Sequence, residues 1–203
     1  MEEFTPTKAN LMTARSSLEF SKKGFELLDK KRNVLIREMM SYLTKAYELQ
    51  ESINSTFQKA YRALMEANIA TGISNVQDIS MSVDIAKDYN ILFKSVMGVQ
   101  VPRIIFERKD IEARYGFYRT SSAVDEAMRE FNNVKYLTYE LAEVENAVYR
   151  LAMEVKKTQK RANALQNIQI PKFEERVKLI TEILEEKERE DFFRLKVVKK
   201  KYK

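Results

Sequence analysis

The chain has 203 residues, 36 Lys and Arg against 30 Asp and Glu, a net charge of +6, and 33% charged beside 44% hydrophobic residues. Four glycines, three prolines and no tryptophan leave few places for tight turns, so the composition suits long amphipathic helices rather than a turn-rich globule. Cysteine and histidine are both absent, which excludes disulfides, thiolate nucleophiles and the usual zinc and copper ligands, and removes the commonest general base at neutral pH.

The opening, Met1-Glu2-Glu3-Phe4, has no basic patch leading into an apolar run, so it does not read as a secretory signal, and a cytoplasmic protein is expected. Pro6, between Thr5 and Thr7, suits the first turn of a helix with a Thr N-cap. From there Leu11, Ala14, Leu18, Phe25, Leu28, Leu35, Met39, Tyr42, Ala46, Leu49, Ile53, Ala60, Ala63 and Ala67 follow one heptad register, interrupted by Ser21, Arg32 and Thr56. Nothing breaks this run before Thr71-Gly72, which predicts a helix of about 90 Å.

The period then changes. Ile79, Met81, Val83 and Ile85 alternate with Ser80, Ser82, Asp84 and Ala86, the pattern of a half-buried strand. A second strand is expected from Val96 to Val101, ended by Pro102, with Asp88-Tyr89-Asn90 as the turn between the two. Apolar stretches here, such as Ile91-Leu92-Phe93 and Ile104-Ile105-Phe106, fall far short of the ~20 residues of a membrane span, so any membrane association is expected to be peripheral.

A second helix is expected from near Thr120, with Ser121 and Ser122 as alternative caps, and a seam through Ala127, Val134, Leu137, Leu141, Val144, Val148, Leu151, Val155, Ala162 and Leu165. Pro171 interrupts it. Apolar residues resume in shifted phase at Phe173, Val177, Ile180, Leu184, Phe192 and Leu195, which predicts a kink or local unwinding followed by more helix.

Each seam Leu or Val contributes about 1.5–3 kcal/mol on full burial, against about 0.3–0.5 kcal/mol for an exposed helix ion pair, so the stripes decide the architecture. The expectation is a mainly all-α fold, a long antiparallel two-helix coiled coil with a small β-hairpin region at one end. It divides into a first coiled-coil helix over 1–72, a middle region with the hairpin over 73–119, and a second coiled-coil helix over 120–203, kinked near Pro171. With Thr71 and Thr120 level, Thr7 falls opposite Leu184, and about 19 residues overhang as a C-terminal tip.

Candidate chemistry is thin. No glycine lies in a GxxxxGKS/T or GxGxxG arrangement, so the backbone cradles that hold phosphate are missing and ATP hydrolysis by this chain alone is not expected. Glu143 with Glu145, or the run Glu185, Glu186, Glu188, Glu190 and Asp191, offers paired carboxylates. The simpler reading is solvated helix face, with Glu185 to Arg189 and Glu190 to Arg194 at helix-supporting i,i+4 spacing. Lys22, Lys23, Lys30, Lys31 and Arg32 crowd the first helix, and Arg194, Lys196, Lys199, Lys200, Lys201 and Lys203 close the chain. Most aromatic residues sit at or beside the seam, where core packing explains them better than base stacking. Phe192 and Phe193 lie on the predicted overhang, where a protein socket explains them better. A basic helical adaptor for nucleic acid or an anionic membrane surface is the rival expectation.

The ends of the chain carry a resemblance. PTKANL near the start, then Gly24, Leu27-Leu28 and Lys30-Lys31-Arg32, resembles the opening of the D subunits of V-type/A-type rotary ATPases. Arg161, Asn163, Ala164 and Leu165 resemble the family's RxNALE block, with Gln166 in place of its Glu, and Lys160 stands in a stretch that is more basic in the family. Pro171 and Glu174 resemble its IPxxE, EREDFFRLK from Glu188 to Lys196 resembles its ending, and Met97-Gly98-Val99 with Val101-Pro102 looks like its hairpin motif.

The resemblance implies a non-catalytic rotor axle, the central stalk, with no cofactor or metal. Its helical termini would insert into a ring of catalytic and non-catalytic subunits, A and B. The hairpin end would face the membrane, with the stalk's F subunit and a funnel-like subunit as partners, so that ATP turnover couples to H+ or Na+ movement without direct membrane insertion or nucleic acid. Ring contacts are expected from Lys22, Lys30, Arg32, Phe192, Phe193, Leu195 and Lys196, and stalk-base contacts from Ile79, Met81, Val83, Val99 and Val101.

Overall fold

A computed structural model describes residues 5–83, 88–109, 115, 116, 118 and 120–202. In chain order its elements are α1 (Lys8–Thr71), α2 (Ile73–Met81), β1 (Tyr89–Val96), β2 (Val99–Phe106), α3 (Ser122–Ala164), a π turn (Leu165–Gln169) and α4 (Ile170–Lys201). The chain divides into two compact units, one holding α1 through Val34 together with the chain from Val155 onward, the other Leu35–Glu154.

In the first unit, α1 starts where Thr7 Oγ1 accepts the Asn10 backbone N–H at 3.2 Å, so Thr7 is the N-cap. Pro6 therefore lies just ahead of the cap, a step outside the first turn where the sequence reading put it. Ala14 and Ser21 are buried on the seam, and the Ser21 hydroxyl donates to the Ser17 carbonyl at 2.8 Å, which satisfies a polar group in an apolar stripe. Arg32 interrupts the stripe with a polar layer. Its guanidinium donates to Gln159 Oε1 at 2.8 Å and pairs with Asp29, and Gln159 donates in turn to Asn163 at 2.6 Å. Thr158, Ala162 and Ile180 are buried on the returning helix.

The unwinding expected at Pro171 precedes it, as a π turn over Leu165–Gln169 in which the Ile170 N–H donates to the Leu165 carbonyl, five residues back. Its physical reason lies in the stripe. The seven-residue repeat through Ala162 and Leu165 would continue, after 169, at positions 172, 176, 179 and 183, but the apolar residues stand at Phe173, Val177, Ile180 and Leu184, each one position late. A π turn takes up one extra residue and hands the next helix on in phase, which leaves Ile180 buried at 2% exposure. Pro171 then falls within the first positions of α4, where its missing N–H does least harm.

In the second unit, Leu35, Ile53, Ala60, Ala63 and Ala67 of α1 and Val134, Val144 and Leu151 of α3 are buried, all on the expected seams. Thr71 and Ser121 meet through their hydroxyls at 3.1 Å, and the Val124 N–H bonds to the Ser121 carbonyl at 3.0 Å, so the helix ends are level as expected and α3 begins at Ser122.

The middle region differs from expectation in detail. Ile73–Met81 is helix, not strand: after Gly72, whose φ of 91° breaks α1, Val76 and Ile79 fall three residues apart and pack on Ala63, Ala67, Val124 and Ala127. That helical pairing outweighs the alternation, whose Asp84, Ile85 and Ala86 lie outside the described residues. The hairpin exists but is shifted. Its turn is Met97-Gly98, inside the expected second strand, and the expected turn residues Tyr89 and Asn90 begin β1. Met97 and Gly98 have φ of 50° and 83°, so both central residues are left-handed, the requirement of a two-residue type I′ turn. Pro102 sits within β2 instead of ending it, paired with Phe93.

Candidate functional site

Two surfaces carry the expected contact residues. The first is the end of α4. Lys8 pairs with Glu188 at 2.9 Å and Lys22 with Glu174 at 2.7 Å, so helix pairing runs to about the level that the sequence predicts. From Glu185 to Tyr202 every residue is exposed. Phe192, Phe193 and Leu195 are 65%, 63% and 68% exposed, with Val197, Val198 and Tyr202 open beside them. The helix supports itself with the anticipated i,i+4 pairs, Arg189–Glu185 and Arg194–Glu190, both at 3.5 Å. Lys196 and Lys30 are exposed. Lys22 pairs with Glu174 with its side chain still 51% exposed, and Arg32 is held within the polar layer of the seam. Lys203 lies outside the described residues.

The second surface is the hairpin, which is fastened to α3 by a second stripe of that helix. Tyr136 stacks on Phe106 with ring centroids 5.3 Å apart, and its hydroxyl accepts the Lys109 N–H at 2.9 Å. Tyr139 packs on Tyr89 and donates to Asp88 at 3.1 Å, and Lys135 pairs with the same carboxylate at 2.8 Å. The Lys135 hydrogen bond holds the Asp88 carboxyl below its ordinary range, while burial, then the bond to Asp88, pushes the Tyr139 hydroxyl up to about 12. Further along, Glu143 accepts the Ile104 N–H at 2.6 Å, and Arg150 donates to the Gln100 carbonyl at 3.2 Å while lying over the Phe93 ring. Glu143 is thus a cap for a strand edge, not half of a catalytic carboxylate pair.

Sequence reasoning named none of these anchors as a set. The available signal was Tyr136, Tyr139, Glu143 and Arg150 recurring at helical spacing out of phase with the seam. Of the residues expected at this end, Met81 and Val83 are 76% and 53% exposed, Ile79 packs inward, Val99 is half-buried, and Val101 is buried at 2% and supports the hairpin from within. Among the described residues no helix is long and apolar enough to cross a membrane.

A family model for the D subunit of ATP synthase matches residues 10–200. The chain is 44% identical over 196 residues to the V-type ATP synthase D subunit of Thermotoga neapolitana, covering 97% of each chain. It is 39% identical over 197 residues to the A-type ATP synthase D subunit of Thermococcus kodakarensis, covering 96% of this chain and 92% of the relative. Against the A-type ATP synthase D subunit of Methanopyrus kandleri it is 37% identical over 201 residues, covering 98% and 87%.

Proposed function

This chain belongs to the family of ATP synthase D subunits, whose members are non-catalytic stalk subunits of rotary ATPases, and from that premise we propose that it is the central axle, turning inside the catalytic ring and coupling ATP turnover to H+ or Na+ movement. The observation that carries the reading is the run of exposed apolar residues on a basic final helix. Leaving Phe192, Phe193 and Leu195 in water is unfavourable unless a socket covers them, and Lys196 with Lys199, Lys200 and Lys201 matches a socket with an acidic rim. The A and B ring subunits supply that socket. The stalk's F subunit and the funnel-like subunit meet α2 and the hairpin, where Met81, Val83 and Val99 are at least partly open, on the cytoplasmic face of the membrane.

The test is ATP turnover and ion coupling in the assembled motor carrying Phe192→Ala, Phe193→Ala and Leu195→Ala together. Turnover uncoupled from transport, or slowed several-fold, with the chain still folded, is the expected result. Unchanged turnover and coupling sinks the axle reading of the tip.

A further inference from the structure

The two edges of the hairpin are treated unequally. Because the turn has two residues, Val96 and Val99 exchange both ladder bonds, and so do the pairs two and four positions along. The N–H and C=O groups of Gln100, Pro102 and Ile104 therefore face outward from β2, and those of Ile91, Phe93 and Ser95 outward from β1. The β2 edge is partly closed: Arg150 binds the Gln100 carbonyl, Glu143 binds the Ile104 N–H, and Pro102 has no N–H to satisfy. Among the described residues no side chain bonds the corresponding groups of β1.

Edge strands are ordinarily blunted by proline, inward charge or cover. β1 has no proline and, among the described residues, no cover, and Lys94 is its one charge. Ile91, Leu92 and Phe93 are 52%, 54% and 55% exposed, and Ile105 is open on the neighbouring strand. Charge gives the character of what fits. From Tyr89 to Phe106 the hairpin has Lys94 and Arg103 and no acidic residue, and Arg150 lies alongside. A second copy of this chain would set one acid-free cationic strand against another.

We infer that the free edge of β1 is a β-augmentation site, on which an extended segment of another soluble subunit of the same motor adds a third strand. That segment alternates apolar side chains, which cover Ile91 and Phe93, with acidic ones that meet Lys94 and Arg103. Main-chain bonds to Ile91, Phe93 and Ser95 supply the grip, and the charges set the partner and its register. The inference rests on the proposed stalk role and adds the recognition mode at the hairpin.

The experiment is hydrogen exchange on the full chain, alone and in the soluble complex reconstituted from purified subunits of the same organism, read at single amides. In the free chain the Ile91, Phe93 and Ser95 amides exchange quickly and the Leu92 and Lys94 amides, inside the ladder, slowly. In the complex the first three slow by at least 100-fold. Ile91→Pro, which removes an outward donor and leaves the β1–β2 ladder intact, weakens association at least 10-fold while the unfolding midpoint of the free chain holds. Co-assembly with the three amides still open overturns the edge inference alone, and failure to co-assemble overturns the stalk role with it. A dimer of the free chain that protects the same amides also overturns it.

Discussion

Met97 occupies a backbone conformation that suits asparagine or glycine. At φ 50° its Cβ crowds the following carbonyl, and a methionine has no short polar group to offset this by bonding locally. Met97→Asn is expected to stabilise the chain by about 1 kcal/mol, read from the urea midpoint, because an Asn-Gly pair is the favoured type I′ turn. Tyr139 makes a different prediction. Its hydroxyl, like that of Tyr115 beside Asp125, is raised to about 12 in the folded chain against an ordinary value of 10.0. The folded state then binds the proton more tightly than the unfolded one, so this contribution to stability is complete below pH 10 and declines as the pH rises toward 12. Thermal unfolding measured across that range should fall with pH, and less steeply in Tyr139→Phe. The Asp88 carboxyl, held low chiefly by Lys135, acts at the opposite end: its contribution is present above its ordinary 3.8 and is lost on acidifying below it.

The helices were legible because one physical term dominates them. Seam residues from Leu11 to Ala67 recur at three and four, and every one is buried or half-buried, while Thr71-Gly72 and Ser121 mark the ends as read. The hairpin was less legible, since a two-residue turn centred on a methionine carries half of the usual Asn-Gly signal, and Ile79, Met81 and Val83 alternate without forming a strand. Its anchors on α3 were invisible to a search for one stripe, because a helix covered on two faces shows two overlapping ones. The π turn gives the sharpest element-scale prediction. Deleting Gln166, an exposed residue within it, should convert the turn to ordinary α-helix and leave Ile180 facing α1, with the unfolding free energy unchanged to within about 1 kcal/mol. Inserting one residue after Pro171 should rotate Ile180 out of its site, at a cost of about 2–4 kcal/mol. Equal losses from both changes would mean that the turn is not taking up a residue.

At the scale of the whole molecule, basic residues crowd Lys22 to Arg32 and the end of the last helix, Lys199-Lys200-Lys201. Such clusters speed encounter with an acidic partner and are screened within about 8 Å at physiological salt. Raising the salt from 50 to 500 mM should therefore slow association with the proposed partner, the A and B ring, about 10-fold and change dissociation much less, measured by stopped flow. A salt dependence confined to dissociation would remove the steering role from these clusters. The site residues were legible only as types, since sequence marks Phe192 and Phe193 as uncovered but not which lysines are already engaged, as Lys22 is with Glu174. The Thr71 and Ser121 hydroxyls touch at 3.1 Å in a chain without a single thiol, so cysteines placed there form the sole redox-operated staple in the molecule, and reductant alone then decides whether the end of α1 is locked to the start of α3 while the motor runs.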